Sequence, residues 1–159
     1  MLDLGRAGEG RGTTQLRPEE DLMETTEKEV VHRFYEIIND GAPERLDEIC
    51  SPDLKGHAGA GTDLAELKSS LASFLAPFPD LTAQVRTMVQ EQDLVSVWIT
   101  YTGTQQGDFA GVPASGRNVK FAAWDLIRVR DGKVTEITQY CDLFTIMSQI
   151  GALPTAAPA

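Results

Sequence analysis

The chain has two cysteines, two histidines and only 14 lysines and arginines against 24 acids in 159 residues. Each shortage removes a class of function. Cys50 and Cys141 lie far apart in sequence and fit no metal-ligand spacing, so both read as packed thiols rather than as a disulfide or zinc site. His32 and His57 cannot furnish a site that needs three imidazoles, and neither a metal nor a cofactor is expected. A formal charge of -10 opposes phosphate backbones and anionic membrane surfaces, which demand clustered Lys and Arg, so nucleic acid is not an expected partner. No run approaches the roughly 20 apolar residues of a membrane span, and no cationic flank precedes an apolar stretch at the N-terminus. The chain reads as cytoplasmic.

What is present is enough apolar material, 42% of residues, for one ordinary domain. Residues 1–23 are rich in Gly, Arg, Glu and Thr without apolar period and read as a flexible leader, residues 24–153 as the domain, and residues 154–159 as a flexible Pro/Ala tail. From Thr25 to Asn39 the positions Val30, Val31, Phe34, Tyr35, Ile37 and Ile38 recur at helical spacing, and Asp40-Gly41 ends the run. A short second helix carries Pro43 in its first turn and turns Leu46 and Ile49 inward. Ser51 to Thr62 reads as a loop bearing His57, and Asp63 as the cap of a third helix over Leu64, Leu67, Leu71, Phe74 and Leu75, stopped at Pro77-Phe78-Pro79.

The period then changes from helical to alternating. Leu81 to Val89, Val95 to Tyr101, Val119 to Val129 and Lys133 to Asp142 give four strands, expected to be antiparallel, and Leu143 to Ile150 gives a closing helix before Gly151. Helices first and sheet after is an α+β arrangement, with the helices covering one sheet face that can hold a pocket. Within the third strand, Asp125 falls in step with Val119, Phe121, Ile127 and Val129. A carboxylate pointed into an apolar face must be paired, hydrogen-bonded, protonated or set beside a cavity, because burying it ionised and alone is costly.

Several segments together resemble one family. They are Phe78-Pro79-Asp80-Leu81, the Gly103-Thr104-Gln105-Gln106-Gly107-Asp108-Phe109-Ala110-Gly111-Val112-Pro113 run onward to Arg117, Arg128-Val129-Arg130-Asp131-Gly132-Lys133-Val134, and Gln149-Ile150-Gly151. In this order, from about Val30 to Leu153, they resemble the SnoaL-like polyketide cyclases of the nuclear transport factor 2-like superfamily. The resemblance implies a cone-shaped α+β barrel enclosing a pocket, a homodimer through the outer sheet face, and a cofactor-free intramolecular aldol closure in which an acidic side chain shuttles a proton. It also places that acid on the last strand, three residues before the aspartate kept here as Asp142, where this chain has Gln139. An amide can orient or hydrogen-bond an oxygen but exchanges no proton near neutral pH. The related limonene-type epoxide hydrolases use an Arg-x-Asp pair on an earlier strand, where this chain reads Trp98-Ile99-Thr100. Gln105 replaces a usual histidine, and Ile137-Thr138 a common His-Trp.

Whether Asp125 meets Gln139 depends on the Arg130-Asp131-Gly132-Lys133 turn. A two-residue turn puts Thr138 and Tyr140 on the face of Asp125; a three-residue loop with Gly132 left-handed, the favoured reading, puts Ile137, Gln139 and Cys141 there. Trp98, Trp124, Leu126 and Tyr140 then form the outer, dimer-forming face. Asp125 is the candidate acid/base, with a structural hydrogen bond to Tyr35 or loop backbone as its other role, and Gln139 the candidate holder of a substrate oxygen. His57 is a candidate second acid/base group at the pocket mouth or a solvated loop histidine. Tyr35, Phe74, Phe109, Phe121, Ile137, Cys141 and Asp142 are candidate substrate-binding residues, although a core role for Tyr35 and a helix-capping role for Asp142 explain them too. The Gly103 to Gly116 loop lacks the strand-to-helix setting of a phosphate cradle and reads as a lid carrying Phe109 and Val112. The functions left are a cofactor-independent cyclase or isomerase of a hydrophobic polyketide-type intermediate in secondary metabolism, a cofactor-free hydroxylase, or a non-catalytic carrier of a hydrophobic metabolite.

Overall fold

A computed structural model describes residues 26–153; the expected leader over 1–23 and tail over 154–159 lie outside the described residues. Thr26 caps helix α1 (Glu27–Asn39) through a reciprocal box, its hydroxyl accepting from the Glu29 N–H while the Glu29 carboxylate accepts from the Thr26 N–H. The helix buries Val30, Val31, Phe34, Tyr35, Ile37 and Ile38, each large apolar side chain contributing about 1.5–3 kcal/mol of burial. A 3-10 turn (Pro43–Glu48) follows. Asp63 caps α2 (Leu64–Leu75) by accepting from the Glu66 N–H, and Asp142 caps α3 (Leu143–Gln149) by accepting from the Thr145 N–H and hydroxyl.

The sheet has five strands, not four. Cys50–Ala58, read from sequence as part of a loop, is β1, and it pairs in parallel with the last strand. Only Cys50, Leu54 and Gly56 of this strand are buried, so an edge position leaves it without the alternating signature of a half-buried strand. The others are β2 (Thr82–Glu91), β3 (Leu94–Thr104), β4 (Asn118–Arg130) and β5 (Lys133–Cys141), in the spatial order β1-β5-β4-β3-β2 and antiparallel apart from the β1-β5 pair. Helix α1 lies across one face and α2 packs against β1, so the core sits between helices and sheet.

Two bulges set which side chains face that core. In β2 the pairing moves from Val85–Ile99 to Thr87–Trp98, which leaves Arg86 as an extra residue. The alternation expected from Leu81 to Val89 therefore breaks: Val89 turns outward and is exposed. In the β4-β5 hairpin Asp131 and Gly132 both have positive φ and Arg130 pairs with Lys133, so the turn is the two-residue type I′ rather than the favoured three-residue loop. The extra residue sits further on. Val129 pairs with Val134 and Arg128 with Glu136, so Thr135 is the bulge, its hydroxyl donating to the Arg128 carbonyl. Beyond it Asp125 faces Gln139, the expected pairing reached by another route.

The Gly103 to Gly116 segment does not form the expected lid. Gln105 is wholly buried: its Nε2 donates to the carbonyls of Gly107, Val112 and Pro113 while its Oε1 accepts from the backbone and hydroxyl of Ser115. Phe109 packs edge-on against Phe74 and Phe78, with ring centroids 5.7 and 5.2 Å apart. The loop is a largely exposed turn closed on itself by the Gln105 amide, with Phe109 turned into the core.

Candidate active site

Strands β3, β4 and β5 direct Tyr101, Asp125 and Gln139 to the helix-covered face, where they share a cavity of about 170 Å³. Its apolar walls are Leu71 and Phe74 of α2 with Phe121 and Ala123 of β4. Tyr140, Cys141 and Leu143 reach it from the β5-α3 junction, and all three are exposed, which marks this side as the mouth. Phe144, the next residue, is more exposed still. The Asp142 N–H donates to the Ala122 carbonyl and pins the start of α3 to β4 at this rim. Gly59 closes the β1 side by donating its N–H to the Gln139 carbonyl at 3.0 Å. A side chain there would begin 3.1 Å from that carbonyl oxygen, so the close approach favours glycine.

Asp125 is 2% exposed. Its Oδ2 accepts from the Tyr35 hydroxyl at 2.6 Å and from Gln139 Nε2 at 3.2 Å. Its Oδ1 accepts from no described residue. Because no fully enclosed side-chain oxygen or nitrogen among the described residues lacks a partner, Oδ1 opens onto the cavity. No Lys, Arg or His lines that cavity. Burial raises the Asp125 pKa to about 6, with the Tyr35 and Gln139 hydrogen bonds pulling the other way. The result is a carboxyl poised near neutrality with one oxygen held and the other free.

The remaining sequence candidates divide by place. Phe74, Phe121 and Cys141 line the cavity with Asp125 and Gln139. Tyr35 stands behind Asp125, its hydroxyl committed to the carboxylate, and does not line the cavity; the hydrogen bond to Tyr35 foreseen for Asp125 is present. Phe109 and Ile137 belong to the core, and Asp142 caps α3 with both carboxylate oxygens. His57 lies outside. It is on β1, not in a loop, and its half-exposed ring places Nε2 3.2 Å from Glu136 Oε1 on the far side of the sheet. Strand pairing turns this residue away from the cavity. Tyr140, placed by sequence on the outer face, also contributes to the mouth. The cavity residues that sequence reasoning passed over are Gly59, Ser70, Leu71, Tyr101, Ala123 and Leu143. For Tyr101 a signal existed, since it ends the inward alternation Val95, Val97, Ile99, Tyr101.

Among the described residues no group of three His, Cys, Asp or Glu side chains is placed to hold a metal ion, and no helix is long and apolar enough to cross a membrane. The architecture, helices on a five-stranded mostly antiparallel sheet around a pocket, is the cone-shaped α+β fold of the nuclear transport factor 2-like superfamily. The SnoaL-like polyketide cyclase model matches residues 28–150, and the chain belongs to that family. Solved structures agree. IdmH of Streptomyces antibioticus, provisionally assigned as a polyketide cyclase, is 31% identical with a TM-score of 0.71, over 79% of this chain and 99% of its own. TsrD of Streptomyces laurentii is 25% identical with a TM-score of 0.73, over 84% and 100%. AclR of Streptomyces galilaeus, provisionally assigned as a hydroxylase, is 27% identical with a TM-score of 0.74, over 80% and 97%. No curated protein matches the chain at a significant level.

Proposed function

We propose that the chain is a cofactor-independent cyclase in which Asp125 moves the proton and the cavity folds the substrate. The observation that carries this reading is the Asp125 carboxyl, buried with one oxygen free on the cavity and a pKa near 6. A general base is most effective when its pKa lies near the working pH. In the proposed step Oδ1 takes a proton from the carbon beside a ketone, and the C–H electron pair becomes the enolate. The enolate carbon attacks a second carbonyl of the same molecule, one C–C bond forms, and protonated Asp125 returns its proton to the new alkoxide. Nothing is oxidised, reduced or lost. Gln139 donates to Oδ2 and keeps the free oxygen aimed at the substrate.

A volume of about 170 Å³ suits one ring or a folded segment of that size, since a cavity near 150 Å³ accepts benzene. The rest of a larger substrate would lie across the apolar rim at Leu143 and Phe144. Holding the two carbonyl segments together supplies the proximity that ring closure requires.

Proton abstraction is testable without the natural substrate. The protein should accelerate deuterium exchange at the α-carbon of cyclohexanone, followed by NMR, with a rate that rises with pH through about 6 and then levels. Asp125→Asn should lower that rate by about 100-fold or more at unchanged folding. Absence of acceleration by the wild-type protein rejects acid/base work by Asp125. The likeness to AclR favours a hydroxylase as the second reading; product formation under strict anaerobiosis would reject it. The exposed Trp98, Trp124, Leu126 and Tyr140, with the two indoles stacked at 6.2 Å, support a homodimer through the outer face. Trp124→Glu should then yield monomers in light scattering.

A further inference from the structure

Of the two buried tyrosines beside the cavity, Tyr35 has given its hydroxyl to Asp125, and Tyr101 has given its hydroxyl to nothing. Tyr101 is 7% exposed and lines the cavity, yet no described residue hydrogen-bonds its hydroxyl. Since the described residues leave no wholly enclosed polar side-chain atom without a partner, this hydroxyl also reaches the cavity. An unused donor in an apolar pocket is costly unless a ligand or water completes it.

The ring cannot turn away. It stacks on Phe121 with centroids 5.3 Å apart and planes 15° from parallel, and Phe121 is held edge-on by Phe74 at 5.9 Å. Inward-facing Val97 pairs with Asp125 across β3 and β4, and Tyr101 pairs with Phe121 further along the same ladder. The phenol and the free carboxyl oxygen thus enter one cavity from neighbouring strands.

We infer that Tyr101 is a catalytic hydrogen-bond donor, holding the substrate carbonyl oxygen whose neighbouring carbon gives its proton to Asp125. This rests on the acid/base reading proposed above. As the C–H bond breaks, negative charge passes to the oxygen, and a donor already aimed there stabilises it more than it stabilises the ketone. When the enolate carbon attacks, the charge leaves that oxygen and the Tyr101 hydroxyl, which never parts with its proton, is unchanged. Burial first, then the nearby Asp125 and Cys141, raise the phenol pKa well above its usual value, so it remains a donor throughout the working range. The required substrate fragment is a ketone with an acidic α-hydrogen, presented oxygen toward β3 and carbon toward β4.

Two measurements test this. The first is binding of 4-nitrophenolate, a planar oxyanion that stands in for the enolate, in the Asp125→Asn background, which removes the competing negative charge. Adding Tyr101→Phe, which retains the stacked ring, should weaken binding about tenfold. The second is cyclohexanone exchange, which Tyr101→Phe should slow by about tenfold or more while the pH limb near 6 stays in place. Nitrophenolate affinity unchanged by Tyr101→Phe, or no binding at millimolar concentration before that change, overturns the assignment. Tyr101-dependent binding with no exchange by the wild-type protein keeps the donor and rejects the Asp125 chemistry; exchange indifferent to Tyr101→Phe does the reverse. Melting curves of both variants confirm that the fold is retained.

Discussion

On β4, Asp125 and Arg128 stand three residues apart on opposite faces of one sheet, and acids have opposite fates on the two sides. Inside, Asp125 meets a phenol and an amide, both neutral, and burial raises its pKa to about 6. Outside, Arg128 bonds Glu136 at 2.9 Å and Asp93 at 2.6 Å, and Arg130 bonds Asp93 at 2.7 Å. The Arg128 guanidinium holds Glu136 below the usual carboxylate range, and Arg130 with Arg128 does the same for Asp93. Neutral partners leave desolvation in charge, whereas cations overrule it. The same kind of side chain therefore has its pKa raised to about 6 on one face and stays a fixed charge on the other.

The sharpest way to break this contrast is to remove one acid from each face. Asp125→Asn should cost about 100-fold or more in cyclohexanone exchange, while Glu136→Gln should leave the rate within about twofold, a comparison that fails if both fall together. Stability should also depend on pH in opposite senses. Between the ordinary value of 3.8 and about 6 the folded protein holds a proton on Asp125 that the unfolded chain has lost. Stability from this group is thus full below the ordinary value and falls as pH rises, by about 3 kcal/mol once above 6. The depressed Glu136 and Asp93 act the other way, losing their contribution as pH falls through their folded values. Urea titrations across this range should show the decline in the wild type and its absence in Asp125→Asn.

Gln139→Asp sharpens the inner face. It replaces a donor to Oδ2 with a second acid, so the pair should share a proton and the exchange limb should move above 6 by about one unit or more. The smallest effect belongs to the outer network. Arg128→Ala removes only partly exposed ion pairs, so it should barely move the urea midpoint and should leave the exchange limb in place.

How much of this was legible in sequence varies residue by residue. Asp125 was visible because β4 alternates without interruption from Val119 to Val129, so any polar residue in the apolar phase stands out. The same rule applied to Tyr101 would have found it, but a tyrosine in an apolar series passes as core until its hydroxyl is seen to lack a partner. His57 was misplaced because β1 is an edge strand held by pairing with β5 rather than by its own pattern. The Asp125–Gln139 pairing was reached on the wrong turn, since the extra residue lies at Thr135 within the strand pair and not in the Asp131-Gly132 turn.

The sequence by itself determined the order of every element except β1, the apolar phase of each helix and central strand, the acid placed in that phase, and the shortage of cations and imidazoles that leaves it with neutral company. These are local periodicities and counts, and they hold in any compact fold of the chain. Only the tertiary structure decided that Asp125 has one oxygen held and one free, that Tyr35 stands behind it while Tyr101 faces the cavity, and that His57 is on the other side. Those facts depend on strand register, bulges and the packing of α1 against the sheet, where one residue of shift exchanges inside for outside.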